Sequence, residues 1–282
     1  MIDPIARHCE VCDGSLDEEL LRVGPLKKVC LECLSDKERD ALQHDLDVAA
    51  QIQARLLPAR NFSFGRWQIH YHYEPLGAVS GDHIDLIRPG RTGAALHFLF
   101  GDVAGKGVAA SLLMANLQAL FRSLVSQELP LDEIMGRANR LFFDSTAANS
   151  YVTLVAGRLD SGGRLEYVNA GHNPPLLVRD GSLLPLNAKT LPFGLETGTR
   201  YEPEGLLLLP DDFLFLYTDG LSETRDKTGQ EYGSTRVEQS LDNLRGQAAH
   251  DVVESVLMGV RSFQESAPRV DDLSAMSIRW RG

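Results

Sequence analysis

Apolar and polar positions along the chain change periodicity several times. Residues 36–58 run without Gly or Pro until Pro58. Leu42, Ala49 and Leu56 recur at intervals of seven, and Leu46, Val48 and Ile52 widen the same face. This predicts an amphipathic helix, capped at its start by Ser35 or Asp36. Beyond it, Trp67, Ile69, Tyr71 and Tyr73 alternate as in a half-buried strand. ALHFLFGDV (95–103) is a short apolar run entering a Gly-rich turn, and 108–127 has helical spacing through Leu112, Leu113, Leu117, Leu120 and Leu124. A second helix is expected over about 131–143. The segments YVTLVAGRL, GRLEYVNA, PPLLVR, LLLLP and DFLFLYTD read as strands, 249–263 as a helix, and LSAMSIRW as a closing strand. Many strands with helices in mid-domain and near 250 imply layered sheets covered by helices.

The pattern divides the chain into three zones: 1–35, a helix over 36–58, and one large domain over 59–282. The helix either packs on its own domain or is a linker that dimerises or relays a signal. Two to three heptads are short for a stable coiled coil.

Composition changes this picture in two places. The formal net charge of −11 disfavours broad nucleic-acid binding, which needs basic surface to displace counterions. Phosphorylated substrates stay open, because bound metals reverse the local sign. No uninterrupted apolar run reaches the roughly eighteen residues of a membrane span, and MIDPIARHCEVCDG lacks the basic-then-apolar secretory pattern. The expectation is a cytoplasmic protein without a membrane segment.

All four cysteines, Cys9, Cys12, Cys30 and Cys33, fall in the first zone. The large domain therefore has no cysteine nucleophile. Two C-x2-C pairs separated by 17 residues read as a structural, closed four-thiolate Zn²⁺ site that folds a segment too short to hold by burial. Free thiols or an unfolded tail, and a redox switch, are the alternatives. Residues 1–58 carry 12 acids and 7 bases, which argues for sensing or protein docking over nucleic-acid binding. The segment is expected to act on the large domain through the 36–58 helix.

Acidic residues of the large domain cluster at four strand-like ends: Asp82 and Asp85 in SGDHID, Asp102 in FGDVAGKG, Asp219 in YTDG, and Asp271 and Asp272 in VDDLS. A lone Asp there is most often a turn or cap residue. Four such cases in one domain instead suit a site that holds divalent metal. Oxygen ligands without clustered His or Cys select Mg²⁺ or Mn²⁺, and distant carboxylates suit a two-metal phosphoryl-transfer site. The rival reading of GDVAGKG as a P-loop fails on spacing. Three residues, not four, separate Gly101 from Gly105-Lys106, and Gly107 stands where Ser or Thr belongs.

The ordered set SGDHIDL, FGDVAGKG, NAGHNPPLL, LPFGL, LYTDGLSETRD, EYG and DDLS resembles PPM-type phosphatases of the SpoIIE/RsbU branch, over about residues 45–280. The resemblance implies an α+β fold, a four-layer αββα sandwich, beside a small zinc-ribbon-like segment and a linker helix. It implies that Asp82, Asp102, Asp219 and Asp271 are catalytic and ligate two or three Mn²⁺ or Mg²⁺ ions, with Val103 adding its carbonyl. Asp85 and Asp272 are secondary candidates. A metal-bound hydroxide would attack phosphoserine or phosphothreonine directly, and the implied substrate is an anti-sigma-factor antagonist of the STAS type. The sequence departs from the family at His83 and Ile84, where aromatics are common, at Ser274 in place of Thr, and at Ala104, where animal relatives carry His. His83 is a candidate leaving-group acid, and His172 reads as structural. A catalytically idle phosphoprotein-binding module on the same fold is the alternative. The full set of ligand motifs argues against it. A zinc-dependent nucleic-acid binder is a third reading, opposed by the acidic balance.

Overall fold

How many faces of a strand are covered decides whether it alternates or reads as uniformly apolar. Ala95–Val103 (β6) is apolar on both faces: Leu96, Phe98 and Phe100 enter one core, Leu99 and Val103 another. Phe213–Tyr217 (β12) behaves alike, with Leu214 and Leu216 on one side and Phe213, Phe215 and Tyr217 on the other. Both are inner-layer strands with a sheet on one face and helices on the other.

The structure is a computed structural model that describes residues 9, 12, 21–23, 27–29, 31–89, 95–146 and 150–282. The chain divides into two units, Met1–Ile52 and Gln53–Gly282. In the first, Leu21–Val23 (β1) pairs antiparallel with Lys27–Val29 (β2), and the helix Asp36–Leu56 (α1) begins. Ser35 is the cap. Its Oγ accepts from the Glu38 N–H at 3.4 Å, and Glu38 Oε2 accepts from the Ser35 N–H at 2.8 Å, the reciprocal arrangement of a capping box.

The second unit holds two antiparallel sheets. One has six strands: Asn61–Phe64 (β3), Trp67–Glu74 (β4), Leu176–Arg179 (β9), Ser182–Pro185 (β10), β12 and Leu273–Trp280 (β13), in the order β10-β9-β12-β13-β4-β3. The other has five: Asp82–Ile87 (β5), β6, Val152–Asp160 (β7), Arg164–Ala170 (β8) and Glu204–Leu207 (β11), in the order β11-β8-β7-β6-β5. Trp67, Ile69 and Tyr71 of β4 meet Ile84, Phe98 and Phe100 of the facing sheet in the central core. Gly107–Val125 (α2) and Leu131–Ser145 (α3) cover the outside of the five-stranded sheet. Gly233–Ser240 (α5) and Ala249–Gln264 (α6) cover the outside of the six-stranded one, and Asp219–Ser222 (α4) is a single turn after β12. The result is the four-layer αββα sandwich that the resemblance implies.

α2 has the length and apolar content of a membrane span. Its inner face is nevertheless buried through Ala110, Met114, Leu117 and Phe121, against β6 and α3, as in the core helix of a layered fold. Of the LLLLP segment only Leu206 and Leu207 lie in a strand, because β11 begins earlier, at Glu204.

Candidate metal centre and active site

Each sheet delivers two carboxylates to one edge of the sandwich. Asp82 opens β5 and lies opposite Asp102 of β6 in the ladder. Asp219 follows β12 after Thr218, and Asp271 and Asp272 directly precede β13, the strand paired with β12. Two hydrogen-bonded pins hold the sheets together here. Thr218 Oγ1 donates to Asp82 Oδ2 at 3.2 Å and accepts from the Ser274 N–H at 3.1 Å. Asp272 accepts the Leu76 N–H on Oδ1 at 2.6 Å and the Gly81 N–H on Oδ2 at 3.1 Å.

Glycine keeps the backbone bare where these groups approach. A Cβ on Gly81 would lie 3.2 Å from Asp102 Oδ1 and 3.1 Å from the Val103 carbonyl oxygen, so both oxygens sit beside the same bare backbone. A Cβ on Gly220 would fall 1.8 Å from the Asp272 carbonyl oxygen. Only glycine fits there.

The crowding shows in the protonation energetics. Burial first, then the charges of Asp219 and Asp271, push the Asp102 carboxyl up to about 7, while Lys106 opposes the shift. Burial and then Asp102 hold Asp82 well above the usual carboxylate range. Burial and Asp271 raise Asp219. Lys106 is the cation paired with this cluster among the described residues. Its Nζ donates to Asp271 Oδ2 at 2.7 Å and to the Val270 carbonyl at 3.0 Å. That hydrogen bond raises the Lys106 ammonium's own pKa. Like charges concentrated in a partly buried place are unfavourable without a cation. Oxygen donors from four carboxylates and one carbonyl fit a hard divalent ion, Mg²⁺ or Mn²⁺.

Other expected residues lie elsewhere. Asp85 is three residues beyond Asp82 and faces the helices. Arg122 of α2 clamps it with Nε to Oδ2 and Nη2 to Oδ1, both at 2.8 Å, and the Leu86 N–H also binds Oδ1. The expectation of Asp85 as a secondary metal ligand is thereby corrected: a residue on the opposite strand face, with both oxygens taken by a guanidinium, has none to offer the cluster. Both oxygens of Asp272 hold backbone N–H groups, which makes it a positioner of the 76–81 loop. His83 shares the Asp85 face, is buried, and is pushed down to about 4 by burial, so it reaches no leaving group. His172 is also buried, with Nδ1 2.9 Å from Thr153 Oγ1 and its N–H bonded to Asn169 Oδ1.

Lys106, Thr218, Arg122 and Gln53 are contributors that periodicity does not single out. Gln53 is the one α1 residue that is buried among those described. In the first unit, the sulfurs of Cys9, Cys12 and Cys33 lie within 4.8 Å of one another. Cys30 lies outside the described residues.

Comparison with known proteins agrees with this fold. Residues 92–281 match the family described as Stage II sporulation protein E (SpoIIE). Phosphoserine phosphatase RsbP of Bacillus subtilis is 28% identical over 243 residues, covering 82% of this chain and 56% of RsbP. The chain spans about half the length of the curated relatives it matches. Among solved structures, the SiaA-PP2C domain of Pseudomonas aeruginosa superposes with a TM-score of 0.72 at 19% identity, covering 86% of this chain and 98% of that one. The catalytic domain of the serine/threonine protein phosphatase PstP, in complex with 2 manganese ions, superposes with a TM-score of 0.54 at 16% identity, covering 76% and 97%.

Proposed function

Because this chain belongs to the SpoIIE family, we propose that it is a metal-dependent protein serine/threonine phosphatase. The observation that carries the proposal is the convergence of Asp82, Asp102, Asp219 and Asp271 at one edge of the sandwich, beside the Val103 carbonyl. These oxygens would hold two Mn²⁺ or Mg²⁺ ions. When bound, such ions supply charge neutralisation for a phosphoryl group and a water of lowered pKa. The chain's own residues do the rest. Gly81 and Gly220 let the carboxylates close up, Thr218 and Asp272 fix the distance between the sheets, and Lys106 sits at the rim where a phosphate oxygen would arrive. The buried His83 and His172 are withdrawn from proton transfer, so the leaving serine or threonine oxygen takes its proton from solvent or from Lys106.

The substrate is proposed to be a phosphorylated cytoplasmic signalling protein, an anti-sigma-factor antagonist of the STAS type. Support comes from the likeness to RsbP, itself called a phosphoserine phosphatase. The first unit is proposed to bind one structural Zn²⁺ through Cys9, Cys12, Cys33 and Cys30, three of whose sulfurs cluster. Exposed Val48 and Ile52 on α1 support pairing of this helix with a second copy, through which the first unit would signal.

The deciding experiment is hydrolysis of a phosphoserine STAS protein with Mn²⁺, with and without chelator. Release of phosphate that stops with chelator is expected. Tight phosphoprotein binding without any release would favour the idle module.

A further inference from the structure

The outer face of the six-stranded sheet carries a second set of metal donors, on the far side of β4 from the central core. His70 of β4, and His250 and Glu254 of α6, place one ligand atom each within 4.8 Å of one another. They come from two elements that pack together. His250 and Glu254 are one helical turn apart on α6, and so point the same way.

Two further contacts prepare the imidazoles. His70 Nδ1 lies 2.7 Å from Asn61 Oδ1, on the neighbouring strand and directly opposite in the ladder. His250 Nδ1 lies 3.1 Å from Asp251 Oδ1. An oxygen acceptor at Nδ1 selects, in the neutral ring, the tautomer whose lone pair is on Nε2. An imidazole oriented by an oxygen at its other nitrogen is the usual supporting arrangement of a histidine metal ligand. Around His70, Arg60 and His72 supply positive field and Glu254 negative, and Asp251 faces His250.

We propose that His70, His250 and Glu254 form a zinc site, distinct from the carboxylate centre, that ties the first turn of α6 to β4. Two imidazoles and one carboxylate select a borderline metal over Mg²⁺ or Mn²⁺. Three protein ligands leave a fourth position for water. Because α6 leads into the segment carrying Asp271 and Asp272, zinc here would brace the helix that precedes the catalytic edge.

The test is zinc content of the full chain, dialysed against micromolar zinc with excess Mg²⁺ to occupy the carboxylate centre. His250 is exposed, so His250→Ala should fold normally. Glu254→Gln keeps shape and is the second variant. Each is expected to hold roughly one zinc per chain less than wild type, and Asp251→Ala to weaken that zinc by roughly 10- to 100-fold. Unchanged zinc content in both His250→Ala and Glu254→Gln would overturn the proposal, as would loss of the same zinc in Asp102→Asn with His250 intact. Neither outcome depends on phosphatase activity.

Discussion

Gln53 and Ser80 exchange two hydrogen bonds: Gln53 Nε2 donates to the Ser80 carbonyl at 2.7 Å, and the Ser80 N–H donates to Gln53 Oε1 at 3.0 Å. Gln53 lies in the last turns of α1, and Ser80 is two residues before Asp82. The Ser80 hydroxyl also accepts from the Asp82 N–H at 3.0 Å. The end of α1 that lies in the second unit is thus hydrogen-bonded to the backbone that carries Asp82, a candidate ligand. Gln53→Ala should leave two buried backbone groups unpaired, at about 1–3 kcal/mol. It should lower phosphatase turnover at least tenfold at saturating Mn²⁺, a loss that thermal unfolding would show is not loss of fold.

Asp102→Asn and Asp219→Asn should each reduce phosphate release by at least about a hundredfold. Their stability should move the other way. Without metal, each removes a charge from a crowded cluster and should raise the unfolding temperature at neutral pH. Added Mn²⁺ should then stabilise wild type far more than either variant, since only a bound ligand shifts the unfolding equilibrium. Calorimetry with and without Mn²⁺ checks both signs.

Arg122→Ala separates support from ligation. Asp85 is fully buried and its carboxylate would lose its only cationic partner among the described residues. Stranding a buried charge costs about 3–5 kcal/mol. Urea unfolding should show that loss, while the Mn²⁺ affinity of the folded variant stays at the wild-type value.

His97 on β6 gives a pH dependence with a definite sign. Burial first, then Arg158, lowers its pKa from 6.5 to about 4. The unfolded chain therefore takes up a proton below about 6.5 that the folded chain refuses until about 4. Stability falls as pH drops through that window and is unaffected by this group above it, by at most roughly 3 kcal/mol. His97→Gln should flatten the fall in unfolding temperature between pH 6.5 and 5.

Replacing Cys9 and Cys12 with serine should remove roughly one zinc per chain and the thiolate-to-metal absorption of the cobalt-substituted protein. Far-UV circular dichroism should change by no more than the small first unit contributes.

Sequence alone revealed most of the sandwich because its central strands and helices obey simple periods. β6 and β13 match the predicted segments end to end, and α2, α3 and α6 differ only at their termini. β5 escaped because three of its five buried positions, Asp82, His83 and Asp85, are polar. Asp82 turns to the carboxylate cluster, while His83 and Asp85 turn to the helices, so SGDHIDL leaves only Ile84 and Leu86 to mark an apolar face. β3 and β10 are four-residue edge strands, and α5 is short and polar. At the site, the aspartates were legible as acids at strand ends beside glycine. Their partners were not. Lys106 meets Asp271 across 165 positions of chain, and Arg122 meets Asp85 across 37. No local pattern encodes which distant charges meet.

The pairing of β13 with β4 has a consequence for biosynthesis. All eight residues of β13 find their partners in β4, from Leu273 opposite Glu74 to Trp280 opposite Trp67, so the middle of the six-stranded sheet waits for the latest of its strands to be translated. Until the ribosome releases Leu273–Trp280, the nascent chain exposes Ile69 and Tyr71 on a strand with an open edge. It also lacks the acidic pair beside Asp219. Such long-range closure is slow and leaves an aggregation-prone intermediate. A chain truncated before Leu273 should therefore be unable to close this sheet.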